Sequence, residues 1–199
     1  PMSIGFFITP EEPLKSKILF WKGKVKKELK NQPYVEHPPH LTLINLDLYE
    51  ENQAISNVKE FISSIRAFNI KISQKDVFFN DISTNGHTIY YKANKTSNLE
   101  DIQIQLAVIL AKYKKSKNLP KFLMKNNILL KSYKSFGSPF IGSHWIPHLT
   151  VASLQVENEN SLLNEFLSKQ ESYTFMVEKI SIWKINGDDH YMIDEVDLV

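Results

Sequence analysis

One short motif occurs twice in the sequence, and this repeat constrains the fold more than any other feature. The segment PHLTL at residues 39–43 returns as PHLTV at residues 147–151. With six histidines and seven threonines among 199 residues, chance gives roughly 0.2 His-x-Thr tripeptides in such a chain. After each copy the same order follows: the rest of a strand, an amphipathic helix, a strand and an Asn-Gly pair. The repeat therefore predicts two similar lobes related by approximate two-fold symmetry, and not a solenoid, which needs three or more repeats.

Hydrophobic periodicity predicts alternating strands and helices along the chain. Strands are expected at residues 4–9, 40–48, 69–79, 87–93, 148–156, 173–185 and 190–196, and helices at 14–29, 55–65, 97–113 and 162–167. Ser97 and Glu100 have the spacing of a capping box at the start of the third helix. The segment 117–147, interrupted by proline and glycine, is left without an assigned element.

This order of elements is typical of an α+β fold. We expect a duplicated, bilobal structure in which two small, mainly antiparallel sheets are backed by helices around a central cleft. A single bilobal domain is expected to cover residues 2–199. Pro1, which precedes Met2, is expected to be a remnant of an expression vector.

The two motifs place histidine and threonine on the same side of a strand. Side chains alternate along a strand, so His40 and Thr42 point one way and the intervening Leu41 points the other. The same holds for His148 and Thr150. The leucine side can pack against the following helix. If the two lobes face each other, two imidazoles and two hydroxyls therefore converge on one cleft.

Two imidazoles and two hydroxyls suit nucleophilic attack at phosphorus. One neutral imidazole can accept a proton from the nucleophile, and a second, protonated imidazole can deliver one to the leaving oxygen. The threonine hydroxyls can donate hydrogen bonds to the non-bridging phosphoryl oxygens, where charge must be stabilised in the transition state. This chemistry requires no metal ion.

The paired motifs resemble those of the 2H phosphoesterases, a superfamily with two His-x-Thr/Ser motifs in a duplicated bilobal fold. The resemblance follows the motif order over the whole chain, but only residues 40–43 and 148–151 match specifically. It implies His40 and His148 as the catalytic acid and base, Thr42 and Thr150 as phosphate-binding residues, and no metal or other cofactor. Many bacterial members use arginines near the phosphate, whereas Arg66 is the only arginine here.

The resemblance implies a phosphoesterase, a hydrolase that acts on a 2′,3′-cyclic phosphate of a nucleotide or RNA end. RNA 2′,3′-cyclic phosphodiesterases, long labelled 2′-5′ RNA ligases, belong to this superfamily, as do 2′,5′-oligoadenylate phosphodiesterases. The latter activity is the alternative within enzymes. A non-catalytic RNA-end binding module is the alternative from another class. The sequence does not decide which histidine is the acid, and a slight preference goes to His148 as the base.

Further residues are candidates for contacts with a nucleotide or RNA substrate. Aromatic rings can stack on bases, and lysines can contact phosphate. Each of these candidates has ordinary packing or surface exposure as its alternative role. They are Phe7, Tyr90, Lys131, Tyr133, Lys134 and Trp145. His87 and His190, near the two Asn-Gly pairs, are expected at the surface, with a place at the cleft rim as the alternative.

Composition narrows the cellular setting and the possible partners. The chain has no cysteine, which excludes disulfides and thiolate metal sites. The spacing of His37 and His40, and of His144 and His148, could suit a metal, but intervening prolines argue against helical presentation, so no metal is predicted.

Between Asp101 and Glu157 every residue with a formal charge is a lysine, concentrated at 112–134. This segment either attracts RNA or is a solvated surface.

We see no signal peptide and no segment long enough to span a membrane. We expect a cytoplasmic monomer whose partner is a nucleotide or oligonucleotide substrate. Neither DNA sequence recognition nor membrane association is predicted.

Overall fold

Eight antiparallel strands form one sheet in the computed structural model, which describes residues 2–115 and 117–199. The strands are β1 (Ser3–Ile8), β2 (Leu41–Leu46), β3 (Phe68–Phe78), β4 (His87–Ala93), β5 (His148–Leu154), β6 (Tyr173–Val177), β7 (Lys179–Asn186) and β8 (Asp189–Asp197). The helices are α1 (Leu14–Leu29), α2 (Glu51–Ile62), α3 (Ser97–Leu110), α4 (Asn127–Phe136) and α5 (Ser161–Ser168). The order across the sheet is β6-β3-β4-β5-β2-β1-β7-β8.

The sheet contains two copies of one unit, and the last strand of each copy lies in the other's half. The series β1-α1-β2-α2-β3 corresponds to β4-α3-β5-α5 followed by β6 and β7. Each first strand pairs with its own motif strand and shifts register at the same place, between Phe6 and Phe7 in β1 and between Ile89 and Tyr90 in β4. The strand that ends each copy pairs with the other copy's first strand, β3 with β4 and β7 with β1. The structure thus extends the repeat back to the strand and helix before each motif.

The two motif strands meet at a single point in the middle of the sheet. β2 and β5 are joined by the registered pair Leu41 and Leu149. Every other neighbouring pair of strands is paired over most of the shorter strand. The sheet therefore consists of two four-stranded halves, which separate on either side of this junction, hereafter the seam.

A hydrophobic core lies between the helices and one face of the sheet. Leu41 and Leu149, the leucines of the two motifs, are fully buried in this core. Beside the half formed by β6, β3, β4 and β5, Trp21 of α1 and Phe166 of α5 pack edge to face with ring centroids 5.2 Å apart. Because strand side chains alternate, burying the leucines turns the histidines and threonines to the opposite face.

The structure confirms the expected α+β fold and corrects some of its details. The two expected sheets are halves of one sheet. The strand expected at residues 173–185 is two strands, β6 and β7, which separate at Glu178 and pair with β3 and β1 respectively. Thr96, and not Ser97, caps α3, since its hydroxyl accepts from the Leu99 amide at 3.1 Å. The segment 117–147 contains α4, whose start is capped by the Asn126 side chain.

No described helix is both long and apolar enough to cross a membrane. Because one sheet and one core run through both halves, we propose that residues 2–199 form a single bilobal domain. Pro1 lies outside the described residues.

Candidate active site

The four motif side chains lie on one face of the sheet at the seam. Because Leu41 is paired with Leu149 in antiparallel register, His40 is placed across from Thr150, and Thr42 across from His148. The two histidines are therefore diagonal neighbours, which in a regular sheet are about 7–8 Å apart. All four side chains are half-buried. This arrangement brings two imidazoles and two hydroxyls to one side of the seam.

Both imidazoles are held in the same way by the backbone. The Nδ1 atom of His40 lies 2.5 Å from the Pro38 carbonyl oxygen, and that of His148 lies 2.6 Å from the Ile146 carbonyl oxygen. A carbonyl can only accept, so Nδ1 carries the proton in each neutral ring. Each Nε2 is then left with a lone pair when the ring is neutral and a proton when it is charged, as a general base or acid requires.

Phe7 fixes the His40 ring from the neighbouring strand. The two rings are stacked, with centroids 4.1 Å apart and planes inclined by 23°. Phe7 is paired with Thr42 and is fully buried. Its ring lies over Gly5, where an added Cβ would be only 2.6 Å from the Phe7 Cε1 atom. The absence of a side chain at residue 5 therefore makes space for the ring that supports His40.

The half formed by β6, β3, β4 and β5 supports His148 through the equivalent strands but with different contacts. Tyr90, paired with Thr150, occupies the position that corresponds to Phe7. Its ring stacks on Phe78 at a centroid distance of 4.0 Å. His148 meets both rings edge to face, at 5.2 Å from Tyr90 and 5.1 Å from Phe78. Burial and the neighbouring Asp76 carboxylate raise the pKa of the Tyr90 hydroxyl, so it stays protonated.

Two further histidines lie beside His40. The ring centroids of His37 and His190 are 4.3 Å apart, and that of His190 is 5.8 Å from His40. His37 Nε2 lies 2.9 Å from Asp188 Oδ1 in the turn between β7 and β8. This turn carries Gly187 with a φ of 62°. Among residues 2–115 and 117–199, no set of three or more potential ligands is arranged to bind a metal ion.

Burial is the main reason that His40 stays neutral. Burial is the main cause that lowers the pKa of His40 to about 3. The hydrogen bond to the Pro38 carbonyl acts in the opposite direction, as the Ile146 carbonyl does for His148, and the nearby His190, His37 and Lys22 lower the pKa further. Lys22 is itself buried in α1, where its Nζ donates to the Tyr34 and Val151 carbonyls at 2.9 and 2.7 Å. Burial also lowers the pKa of Lys22, to about 8.

His148 has a different electrostatic environment. Burial lowers its pKa too, but the hydrogen bond to the Ile146 carbonyl and the Asp81 carboxylate act in the opposite direction. The Asp81 side chain is held by the Thr88 hydroxyl, which donates to Oδ2 at 2.6 Å. A positive charge is therefore disfavoured at His40 by Lys22 and the neighbouring histidines, and favoured at His148 by a carboxylate.

The other predicted contact residues divide into two groups. Phe7 and Tyr90 lie against the histidines, as described, and Trp145 forms a buried wall beside the segment that leads to His148. Tyr133 instead lines a small cavity at the far end of β2 with Asn45 and Lys115, about 15 Å along the strand from His40. Lys131 and Lys134 are exposed on α4.

The structure does not bring Lys131, Tyr133 and Lys134 to the histidine pair. The lysine-rich segment 112–134 includes Ser116, which lies outside the described residues.

The expectation for His87 was wrong. His87 is 4% exposed, and its Nδ1 accepts from the Asn80 amide at 3.1 Å within the β3–β4 connection. His190 is half-buried beside His40. Sequence reasoning missed the roles of Gly5, Phe78 and Trp183, whose ring centroid is 6.0 Å from that of Phe7. The repeat could have identified these residues. Trp183, which is paired with Gly5 in one half, occupies the position of Phe78, which is paired with Thr88 in the other.

Comparison with known proteins identifies the family of this chain. The sequence profile of the 2′-5′ RNA ligase superfamily matches residues 10–189. The chain belongs to this superfamily. These proteins are 2H phosphoesterases, so the resemblance first indicated by the two motifs is confirmed. No curated protein matches the sequence significantly.

Solved structures show the same fold as this member of the 2′-5′ RNA ligase superfamily. TT0787 of Thermus thermophilus is 14% identical, with a TM-score of 0.65 over 98% of this chain and 97% of that one. E. coli LigT complexed with 3′-AMP is 15% identical, with a TM-score of 0.61 over 100% and 99%. A protein described as a phosphoesterase is 13% identical, with a TM-score of 0.63 over 100% and 99%. Membership of the superfamily supports phosphoesterase activity.

Proposed function

We propose that the protein hydrolyses the 2′,3′-cyclic phosphate of a nucleotide or RNA end without a metal ion. The observation that carries this proposal is the matched pair of imidazoles at the seam. Each has Nδ1 bonded to the carbonyl two residues earlier, and each leaves Nε2 for catalysis. A binding module would have no need of two such rings, since binding alone requires no paired acid and base.

His40 is the general base in the proposed mechanism. Its neutral Nε2 takes a proton from a water molecule, whose oxygen attacks the phosphorus atom. The bond from phosphorus to one ribose oxygen breaks, and that oxygen receives a proton from Nε2 of His148. Thr42 and Thr150 donate to the non-bridging oxygens, where negative charge accumulates.

The charges around the two rings favour this assignment. His190, His37 and Lys22 oppose protonation of His40, while Asp81 promotes protonation of His148. A bound phosphodiester adds a negative charge that further favours a protonated His148. The assignment is the reverse of the slight preference drawn from the sequence, which contained no information on these neighbours.

Cleavage of linear 2′-5′ linkages in short oligoadenylates is the second candidate. It is favoured by the aromatic side chains on both sides of the seam, Phe7 and Trp183 in one half and Phe78 and Tyr90 in the other. A linear substrate carries a base on each side of the scissile phosphate. The half-buried Trp183 and Phe78 are the rings available to stack on these bases.

The test uses EDTA-treated protein with 2′,3′-cyclic AMP and a 2′-5′ oligoadenylate in parallel. We expect turnover of the cyclic nucleotide, and its loss by at least about 10³-fold in both His40→Ala and His148→Ala. His144→Ala is the matched control, since His144 is exposed outside the site. Turnover of the linear substrate alone would establish the second candidate. Binding of cyclic-phosphate RNA without any turnover by folded protein would establish a binding module instead.

A further inference from the structure

A cavity lies beside His148, outside the four motif side chains. Its volume is about 480 Å³, within the range of sites that hold nucleotide-sized ligands. Strand β4 and the segment before β5 form its walls, including Lys92, Asn94, Trp145 and Pro147. The Ala93 amide donates to the Pro147 carbonyl at 3.0 Å, which joins these two walls.

Lys92 connects this cavity to the catalytic face. It is paired with His148 across β4 and β5, and paired residues point to the same side of a sheet. Tyr90, two residues earlier, points to this side as well, because it contacts His148. Lys92 therefore extends the row of site residues beyond His148 and into the cavity.

The two lysines of the cavity have different roles. Lys95 Nζ donates to the carbonyls of Gly142, Ser143 and Trp145 at 3.0, 3.2 and 2.8 Å, and lies 3.6 Å from Glu100. Its donors are therefore used to hold the cavity wall. Lys92 is half-buried, and among the described residues its Nζ forms neither a salt bridge nor a side-chain hydrogen bond. Its three donors are available to a ligand.

We propose that this cavity is a second-phosphate subsite, in which Lys92 binds the next phosphate of an oligoribonucleotide whose reacting phosphate lies between the histidines. This inference rests on the proposed function and specifies its substrate class as an RNA end and not a mononucleotide. Each added nucleotide brings one more phosphate, and a free ammonium group on a half-enclosed wall matches that charge. Trp145 and the joined backbone walls keep the subsite preformed.

The test compares 2′,3′-cyclic AMP, which has one phosphate, with the dinucleotide ApA bearing a terminal 2′,3′-cyclic phosphate, which has two. We expect wild-type kcat/KM to be at least about tenfold higher for the dinucleotide, as a hydrogen bond to a charged group provides. In Lys92→Ala the ratio of the two kcat/KM values should fall towards one, and in Lys92→Arg it should be largely kept. Lys27→Ala, an equally charged change on the exposed side of α1, should leave the ratio at its wild-type value.

A wild-type ratio near one, or a ratio that Lys92→Ala leaves intact, would overturn the subsite. If neither substrate is turned over, the proposed function fails, and the subsite is judged by binding. The probe is then a fluorescein-labelled 2′-O-methyl tetranucleotide, titrated by anisotropy at several salt concentrations. Loss of one phosphate contact in Lys92→Ala should make the slope of log K against log salt concentration less negative by about 0.7. An unchanged affinity and slope would overturn the subsite as well.

Discussion

Gly5→Ala tests whether the Phe7–His40 stack positions the catalytic imidazole. The added methyl group would lie 2.6 and 2.7 Å from the Cε1 and Cζ atoms of Phe7, and 2.9 Å from Ile185 Cδ1. Carbon atoms attract at 3.5–4.0 Å, so the Phe7 ring must move by about 1 Å. His40 is stacked on that ring at 4.1 Å and must follow it or lose the contact.

The expected magnitudes follow from these contacts. Overpacking a core of this kind destabilises by about 1–3 kcal/mol, which for a chain of this length lowers the melting temperature by about 2–12 °C. A displacement of about 1 Å at the catalytic base lowers activity by about 10²-fold. The value of kcat/KM should therefore fall much more than the small fraction of unfolded protein can account for. The assay is kcat/KM for the cyclic nucleotide at 25 °C, beside a thermal melt.

Two control variants separate the stack from general effects of the substitution. Gly23→Ala makes the same chemical change at an exposed position of α1, where no atom lies within 4 Å of the added Cβ. We expect it to stabilise by about 0.5–1 kcal/mol and to keep full activity. Gly5→Ala combined with Phe7→Leu removes the clash with the Phe7 ring, although the contact with Ile185 stays, and it does not restore the stack on His40. The melting temperature should therefore recover in part while activity stays low. If Gly5→Ala retained wild-type kcat/KM, the stack would not position His40.

Three further outcomes are expected. Thr42→Val and Thr150→Val should each lower kcat about 10²-fold with little change in melting temperature. A wild-type kcat in both variants would mean that the threonines do not bind the phosphate. The pKa of His40 falls from 6.5 to about 3 on folding, so the unfolded chain binds more protons between these values and the free energy of unfolding should fall as pH falls through this range. His40→Gln should reduce that fall in urea titrations. The pKa of Lys22 drops from 10.5 to about 8, so stability should rise between pH 8 and 10.5, and Lys22→Met should flatten this rise.

The strands and helices were predictable because their signals are local. The alternation of histidine, leucine and threonine in residues 40–42 and 148–150 fixes which side chains are buried, and the structure has both leucines in the core. The repeat then indicated that the two motifs belong together. The α+β fold followed from these patterns.

Strand pairing was not predictable in the same way. Periodicity reports which face of a strand is buried but not which strand lies beside it. It therefore did not show that β3 pairs with β4 and β7 with β1, nor that residues 173–185 change partner at Glu178. The environment of His40 depends on that pairing, because it brings the turn with Asp188 and His190 to the rim of the site. His87 was placed wrongly because the buried Nδ1 partner, the Asn80 amide, is a backbone group that no sequence pattern identifies.

The exchange of final strands bears on the ancestry of the molecule. A polypeptide with one copy, from β1 to β3, would carry one of the two motif histidines, and its first strand would lack the second neighbour that β7 provides. Two identical polypeptides could complete the sheet only as a symmetric dimer, each lending its last strand to the other. Fusing them into one gene keeps that geometry but frees each copy to mutate alone. Phe7 stacked on one imidazole, and Tyr90 set edge-on to the other, are differences that such independent change allows, and they fit the proposed division of the two histidines into a base and an acid.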